Sequence, residues 1–374
     1  MVSLARSSLV YDWRRYAAAV FAITFAGLLV LVQLALLLGL FGTVSVAIDQ
    51  SGADLWIGYP KTQSVDLGRP LPPGSAVNAW MHRSVRRVEP LTFAVGDLRR
   101  PDGVAVSVFL YGIEPAQDGL AFSRKLKPEQ RRLLDEPDAV IIDVADQYKL
   151  GASVGARVEI NGKRARIAGI VEGIRGVGTV SVLTSRASLR RFSPDLGATT
   201  TYQLVGLRSG ADPARVAGEI ADAGAIKRYG VWTAEDFSAL SQIYWLLESG
   251  VGIGSGFASA LALLVGVVIT SQTLGGAILA SLKEFAALRA LGVSNASLRQ
   301  VVLEQSWWLG LIGLGLTGLL TAAAAWVGGS YHVAMSFPWW LLLGVSTVIL
   351  AVALGSGLLA LRPLYQADPA NLLR

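Results

Sequence analysis

The chain has 374 residues, of which 52% are hydrophobic and only 16% are charged, and its formal net charge is +6. This composition is too apolar for an ordinary soluble domain and indicates a membrane protein. The absence of cysteine excludes disulfides, thiolate metal sites and a cysteine nucleophile.

Three uncharged runs, at 16–48, 249–282 and 305–361, are each longer than the roughly 20 residues that a spanning helix needs. The first is about twice the usual length of a signal-peptide core, so we interpret it as a retained anchor. The last contains turn and helix-breaking residues at 328–332 and at Phe337-Pro338, which indicate a tight hairpin between two spans. The chain is therefore predicted to have four transmembrane α-helices, with a large α+β extracytoplasmic domain inserted between helices 1 and 2.

The predicted boundaries follow from these changes in composition, and the ectodomain is interpreted as two lobes. The segments are a cytoplasmic N-terminus 1–15, transmembrane helix 1 at 16–42, the α+β domain 43–248, helix 2 at 249–281, a cytoplasmic coupling segment 282–304, helix 3 at 305–328, an external hairpin 329–337, helix 4 at 338–361 and a cytoplasmic tail 362–374.

Lysine and arginine in the short loops predict the orientation, because cytoplasmic loops carry an excess of these residues. They precede the first span, lie between the second and third, and follow the fourth, at Arg6, Arg14, Arg15, Lys283, Arg289, Arg299, Arg362 and Arg374. Both termini and the segment between the second and third spans are thus expected in the cytoplasm, with the large domain outside. The positive net charge is explained by these anchors rather than by nucleic-acid binding.

The external domain shows strand patterns at 53–57, 104–111 and 201–207, and helix patterns at 128–134 and 213–223. Within 139–172, Asn161-Gly162 predicts a type I′ hairpin turn between two alternating strands. A further helix is expected to start at Thr233 and to run, with a bend at the glycines, into the second span.

Small residues recur at every fourth position of the second span, which would let another helix approach closely. This predicted packing seam consists of Gly250, Gly254, Ala258, Ala262 and Gly266. The third span has a similar series from Gly313 to Gly329. Packing within one chain and packing in a dimer remain equal alternatives for these series.

Enzymatic and ion-coupling motifs are not found in the sequence. The spans contain no ionisable side chain at depth, only Gln33 and hydroxyls, which disfavours ion-driven transport. The single Gly162-Lys163 pair lacks the other residues of a phosphate-binding loop. We therefore predict no catalytic residues, no metal ligands and no cofactor on this chain.

One polar island, LKEFAALRALGVSNASLRQVVLEQ at 282–305, separates the second and third spans. Gly292 is placed to end a first helix, and Ser294 or Asn295 can cap a second. Glu284 and Arg289 are spaced by five residues, so on a helix they point roughly 140° apart and cannot form the usual ion pair. Each is free for a separate partner, although a solvated loop without partners is an equal alternative.

This island resembles the loop between the second and third spans of MacB-, LolC/LolE-, FtsX- and DevC-type permeases, the type VII ABC transporter group. The matching positions are Glu284, Arg289, Ala290, Gly292 and Glu304, whereas Lys283, Phe285 and Val293 depart from the pattern conservatively. The block from Asp143 to Gly173 and the ending RPLYQADPANLLR also resemble this group. The first span and the segment after it look closest to DevC-type permeases, and the resemblance covers nearly the whole chain.

The resemblance implies the membrane subunit of an ATP-driven exporter that works by mechanotransmission. It also implies a bacterial inner membrane, with both termini cytoplasmic and the large domain periplasmic. Its implied partners are two copies of an ATPase subunit that holds ATP and Mg, a second permease copy in a homodimer, membrane lipids, and a periplasmic adaptor leading to an outer-membrane duct. It makes Lys283, Glu284, Arg289 and Gly292 the expected coupling residues. The alternatives are a transducer that activates an external cell-wall hydrolase and a lipoprotein-releasing permease.

Overall fold

The computed structural model describes residues 11, 13–176, 178–223, 228–280, 294–331 and 333–360. The chain divides into two compact units, one formed by 1–39 with 252–374 and the other by 40–251. Four of the described helices are long and apolar enough to cross a membrane, and the second unit is a mixed α and β domain between the first and second of them. The predicted fold class is thus confirmed.

The helices fall into long membrane helices and short helices of the domain. Their bounds are α1 Trp13–Val44, α2 Val46–Asp49, α3 Val77–Met81, α4 Pro128–Arg132, α5 Gln147–Leu150, α6 Arg186–Phe192, α7 Pro213–Asp222, α8 Ala234–Ile243, α9 Val251–Ala280, α10 Asn295–Ser330 and α11 Trp339–Ala360.

In the membrane unit, α1 packs against α10 through small residues. A Cβ added at Gly313 would lie 2.6 Å from Cγ2 of Ile23, and one at Gly27 would lie 2.8 Å from Oγ1 of Thr317. The Thr317 hydroxyl donates to the Gly313 carbonyl at 2.8 Å. Since lipid gives helices no hydrophobic reason to associate, such close backbone approach is the main source of packing energy here.

The domain contains nine strands. They are β1 Leu55–Gly58, β2 Val85–Arg99, β3 Ala105–Ile113, β4 Ala139–Asp143, β5 Arg157–Ile160, β6 Lys163–Val171, β7 Val180–Ser185, β8 Tyr202–Leu207 and β9 Gly230–Thr233.

The long strand β2 belongs to two substructures. Its first half pairs with β8, which continues through β1 to β9 in an antiparallel sheet. Its second half pairs with β3 on one side and, at Leu98 and Arg99, with β5 on the other. The strands β3, β7, β4, β6, β5 and β2 therefore close into a six-stranded barrel. Alternating side chains such as Leu98, Val158 and Ile167 fill its interior.

The predicted hairpin is confirmed. Ile160 pairs with Lys163, which leaves Asn161 and Gly162 as a two-residue turn, and their φ angles are 47° and 76°. Asparagine and glycine tolerate this left-handed backbone better than other residues, so the local sequence alone specifies the turn. The Asn161 side chain also accepts a hydrogen bond from Asp97 N at 2.8 Å, which ties the turn to β2.

Candidate functional site

The predicted coupling residues Lys283, Glu284, Arg289 and Gly292 lie outside the residues that the structure describes. Description resumes at Ser294, whose Oγ accepts a hydrogen bond from Ser297 N at 3.2 Å and so caps α10. Ser294 was one of the two predicted caps, and the helix it starts runs on into the third predicted span. The role of the coupling residues stays a prediction.

The predicted seam on α9 has two different environments. A Cβ added at Gly266 would lie 2.8 Å from the Ala26 Cβ of α1, so this end packs within the chain. At Gly254 an added Cβ would meet no atom of the described residues within 4 Å. Gly250 precedes the helix and has φ +78°. The seam therefore contacts the rest of its own unit only toward its C-terminal end.

Hydrogen bonds join the segment that follows α1 to α8, near the other end of the domain unit. We call this group of bonds the junction. Ser45, at the end of α1, donates to Asp49 Oδ2 at 2.6 Å and accepts from Gln242 Nε2 of α8 at 2.9 Å. Its side chain is fully buried. Because both functions of the hydroxyl are satisfied, Ser45 holds α2 and α8 together with defined geometry.

The loop between β1 and α3 contacts the same helix and the turn that follows it. Val65 N donates to Ser241 Oγ at 3.1 Å, and Gln63 Nε2 donates to Glu248 Oε2 at 2.7 Å. Trp245 Nε1 donates to Asp66 Oδ1 at 3.3 Å. The segment from Ser241 to Glu248 is therefore held by side chains from a distant part of the domain.

The segment that follows α1 is bonded in turn to a loop of the domain, and through that loop to β2. Gly52 N donates to the Leu120 carbonyl at 2.8 Å, and Arg124 Nη1 donates to the Asp49 carbonyl at 3.0 Å. The loop that carries Leu120 is held by the buried Glu89 of β2, whose carboxylate accepts from Leu120 N and from Ala121 N. A rigid path of hydrogen bonds thus runs from the end of α1 to β2.

The connection from α8 to α9 changes helix type twice. A π-helical turn spans Tyr244–Glu248, and Ser249 and Gly250 separate it from α9. The positive φ of Gly250 is a backbone conformation that other residues rarely adopt. The helix is thus interrupted at Ser249 and Gly250, immediately after the segment held by the junction.

The aromatic residues of the domain do not form a common pocket. Trp56 is fully buried in the core beside Tyr202 and Phe237, whereas Trp80 is 60% exposed and lines a cleft with Arg86 and Arg87. Across the described part of the chain, no group of three His, Asp or Glu side chains could hold a metal ion.

Sequence reasoning missed the junction. The spacing of four between Ser45 and Asp49 is a local signal that could have suggested a bond at the end of a helix. No pattern in the sequence could have linked Ser45 to Gln242, because they are separated by 197 positions and each looks like an ordinary polar residue.

Two families match the chain. The MacB-like periplasmic core domain matches residues 16–223, and the FtsX-like permease C-terminal domain matches residues 256–369. The chain is 27% identical over 266 residues to an uncharacterised ABC transporter permease of Methanocaldococcus jannaschii, a match that covers 66% of this chain and 65% of that protein.

Two solved structures are similar to the domain. The periplasmic region of MacB from Actinobacillus actinomycetemcomitans has 14% identity and a TM-score of 0.38, and it covers 51% of this chain and 94% of its own. The extracellular domain of the ABC-type transporter YknZ from Gram-positive bacteria has 16% identity and a TM-score of 0.34, covering 48% and 99%.

The first match runs from α1 into the domain and ends within it, and the second covers the last three membrane helices. The chain is a multi-pass membrane protein and belongs to the MacB/FtsX family of ABC transporter permeases.

Proposed function

We propose that this chain is the permease subunit of an ATP-driven exporter in which motions of the partner ATPase reach the external domain mechanically. The junction at Ser45 and Gln242 carries the proposal, because it connects the ends of α1 and α8 to each other and to the sheet. A displacement of the end of α1 or of α8 would move hydrogen-bonded groups of the domain rather than a loose linker.

The composition of the spans supports the same mechanism. The uncharged runs that form the spans contain no Asp, Glu, Lys or Arg, so they offer no ionisable group for ion coupling or for binding a charged substrate at mid-membrane. Energy from ATP would act on the domain, and the cargo would be expelled on the external side. The orientation proposed is that of the positive loops, with both termini cytoplasmic and the domain periplasmic.

The proposed assembly contains two ATPase subunits that supply ATP and Mg, two copies of this chain, and an adaptor with an outer-membrane duct, as in DevC-type exporters. Purification from native membranes distinguishes the alternatives. Copurification of an adaptor and a duct supports the exporter, whereas a cell-wall hydrolase supports a regulatory transducer. A second, non-identical permease supports a lipoprotein-releasing complex.

The junction is tested by replacing Gln242→Ala in the complex reconstituted with its ATPase. In the parent complex, ATP should change amide hydrogen exchange at residues 45–52 and 234–250 and in the loop at 62–66. In the variant the changes at 45–52 and at 234–250 should no longer match, because the bond that joins Ser45 to Gln242 is absent. Gln147→Ala, a half-buried glutamine at the start of α5, is the matched control. ATP-dependent changes at 45–52 and 234–250 that stay matched in Gln242→Ala would contradict the proposal.

The coupling segment is tested by Glu284→Lys. Charge reversal should abolish stimulation of the ATPase by the permease, because an acidic contact becomes a repulsive basic one. The variant should still insert into the membrane and copurify with a second copy. Stimulation equal to that of the parent would sink the assignment of Glu284 as a coupling residue.

A further inference from the structure

The outer face of the barrel carries a concentration of arginine. A cleft of about 550 Å³ lies over the strands β2, β5 and β6, close to the start of β4. Its charged lining consists of Arg99, Arg100, Arg157, Arg164 and Arg166, with the carboxylates Asp138 and Glu159. The lining includes no lysine.

The strand register makes this arrangement unfavourable for folding. Arg157 of β5 lies directly opposite Arg166 of β6, and like charges in directly opposed positions destabilise a sheet. Arg166 is paired with Glu136, whereas Arg157 and Arg164 form no ion pair with any residue that the structure describes. Arg99 and Arg100 also have carboxylate partners, Glu159 and Asp102. The charges of Arg157 and Arg164 are therefore the ones left for a partner outside the chain.

An exposed aromatic side chain lies beside the cleft. Tyr148 is 95% exposed, and the carbonyl of the next residue, Lys149, accepts a hydrogen bond from Arg100 Nη1 at 3.1 Å. Tyrosine and arginine are enriched at protein interfaces and their centres, whereas lysine is depleted. A solvent-exposed tyrosine next to clustered arginines therefore fits a protein-docking surface.

We propose that this face, formed by the cleft and Tyr148, docks the acidic surface of a second, water-soluble protein. The sign of the side-chain charge alternates across β2, β5 and β6, from Arg99 through Glu159 to Arg164. Glu159 and Asp138 are held in this face by Arg99 and Arg191. A uniformly anionic bilayer or polyphosphate would meet these two carboxylates unfavourably, whereas a protein can place its own carboxylates opposite the arginines and away from them. The proposal rests on the proposed function only in expecting this partner on the external side of the membrane.

The test uses the full chain in phosphatidylcholine nanodiscs and fluorescent poly-L-glutamate as the probe. Binding should saturate and weaken with salt, since the contacts are exposed charges. The double variant Arg157→Glu, Arg164→Glu should weaken binding by about tenfold or more, and Tyr148→Ala should also weaken it. The charge-matched control reverses two exposed arginines outside the barrel, Arg69→Glu together with Arg83→Glu, and should bind as the parent does.

Equal losses in the double variant and the control would overturn the proposal, as would unchanged binding in the double variant. Tighter binding of inorganic pyrophosphate or of phosphatidylglycerol vesicles than of poly-L-glutamate would assign the face to phosphate groups instead.

The variant Arg157→Gln should melt at the same temperature as the parent or higher, because it removes a like-charge contact. A lower melting temperature would give Arg157 a structural role and count against docking.

ATPase stimulation is measured on the same variants. Loss of probe binding with normal stimulation supports the docking face as a separate feature. Failure of the probe to bind the parent, with normal stimulation, overturns the docking proposal and leaves the proposed function standing.

Discussion

Asp146 is an acidic side chain buried at the start of α5, where only 1% of it is exposed. Its Oδ1 lies 3.5 Å from Arg175 Nε, and its Oδ2 accepts no hydrogen bond from the described residues. Burial raises the pKa of Asp146 from 3.8 to about 6, and Asp143 adds to the increase, whereas Arg175 and Lys149 oppose it.

This pKa predicts a pH dependence of stability. The folded state holds the proton of Asp146 more tightly than the unfolded state does. The contribution of Asp146 to the free energy of unfolding is therefore most favourable below about pH 4 and is lost as the pH rises through about 6. Asp146→Asn should remove that loss and stabilise the domain above pH 6 by on the order of 1 to 3 kcal/mol.

Thermal unfolding of the full chain in detergent, measured from pH 4 to 8, checks this prediction. The exposed Asp195→Asn is the matched control and should give the same profile as the parent. A variant profile parallel to that of the parent would show that Asp146 does not titrate differently on folding.

Local chemistry predicted some residues correctly and could not predict others. The turn at Asn161-Gly162 follows from the backbone freedom of these two residues, which is a property of the sequence itself. Glu89 is charged yet buried, because two backbone N–H groups from a loop 31 and 32 positions away bond to its carboxylate. Those partners are brought near only by folding.

At the scale of elements, two neighbouring glycines of α10 allow a matched test of helix packing. Gly313 faces α1, where an added methyl would contact Ile23 at 2.6 Å. Gly315 is exposed, and an added methyl there would meet no described atom within 4 Å.

Gly313→Ala should therefore destabilise the membrane unit by about 1 to 3 kcal/mol, because α1 must move away. Gly315→Ala should be neutral or stabilise by up to about 1 kcal/mol, since alanine favours the helix. Detergent unfolding of the two variants side by side measures both. A similar effect of the two substitutions would rule out the close packing of α10 on α1.

The strand β2 shows why elements with mixed polarity escape sequence reasoning. Charged residues and Pro90 interrupt its alternation, so no strand was predicted at 85–99, although it is the longest strand described. Strands that follow simple alternation, such as β5, were predicted. Burial on both sides of a shared strand depends on partners that the local sequence does not specify.

For the whole molecule, the environment of α9 indicates how two copies would associate. It is the least buried of the four candidate spans, at 11% against 22% to 39% for the others. The N-terminal half of its seam contacts no other described residue at Gly254, whereas Gly266 packs on α1. If the homodimer proposed above forms, the free half of the seam is the surface available for it.

Single cysteines test this arrangement, because the chain has none of its own. Gly254→Cys should form a disulfide between two copies under mild oxidation, since close helix approach brings the two sulfurs together. Gly266→Cys, within its own chain's packing, should not. Gels of oxidised and reduced membranes distinguish the two. Equal cross-linking at both positions, or none at Gly254, would place the dimer contact elsewhere.

The sequence by itself determined the four spans, the hairpin and the family, because the length of an apolar run, turn chemistry and motif order are local or sequential properties. Only the tertiary structure decided that six strands close into a barrel, that Ser45 meets Gln242, and that one half of the α9 seam is covered. These features depend on contacts between segments far apart in the chain, and their free energy appears only when the whole fold brings those segments together.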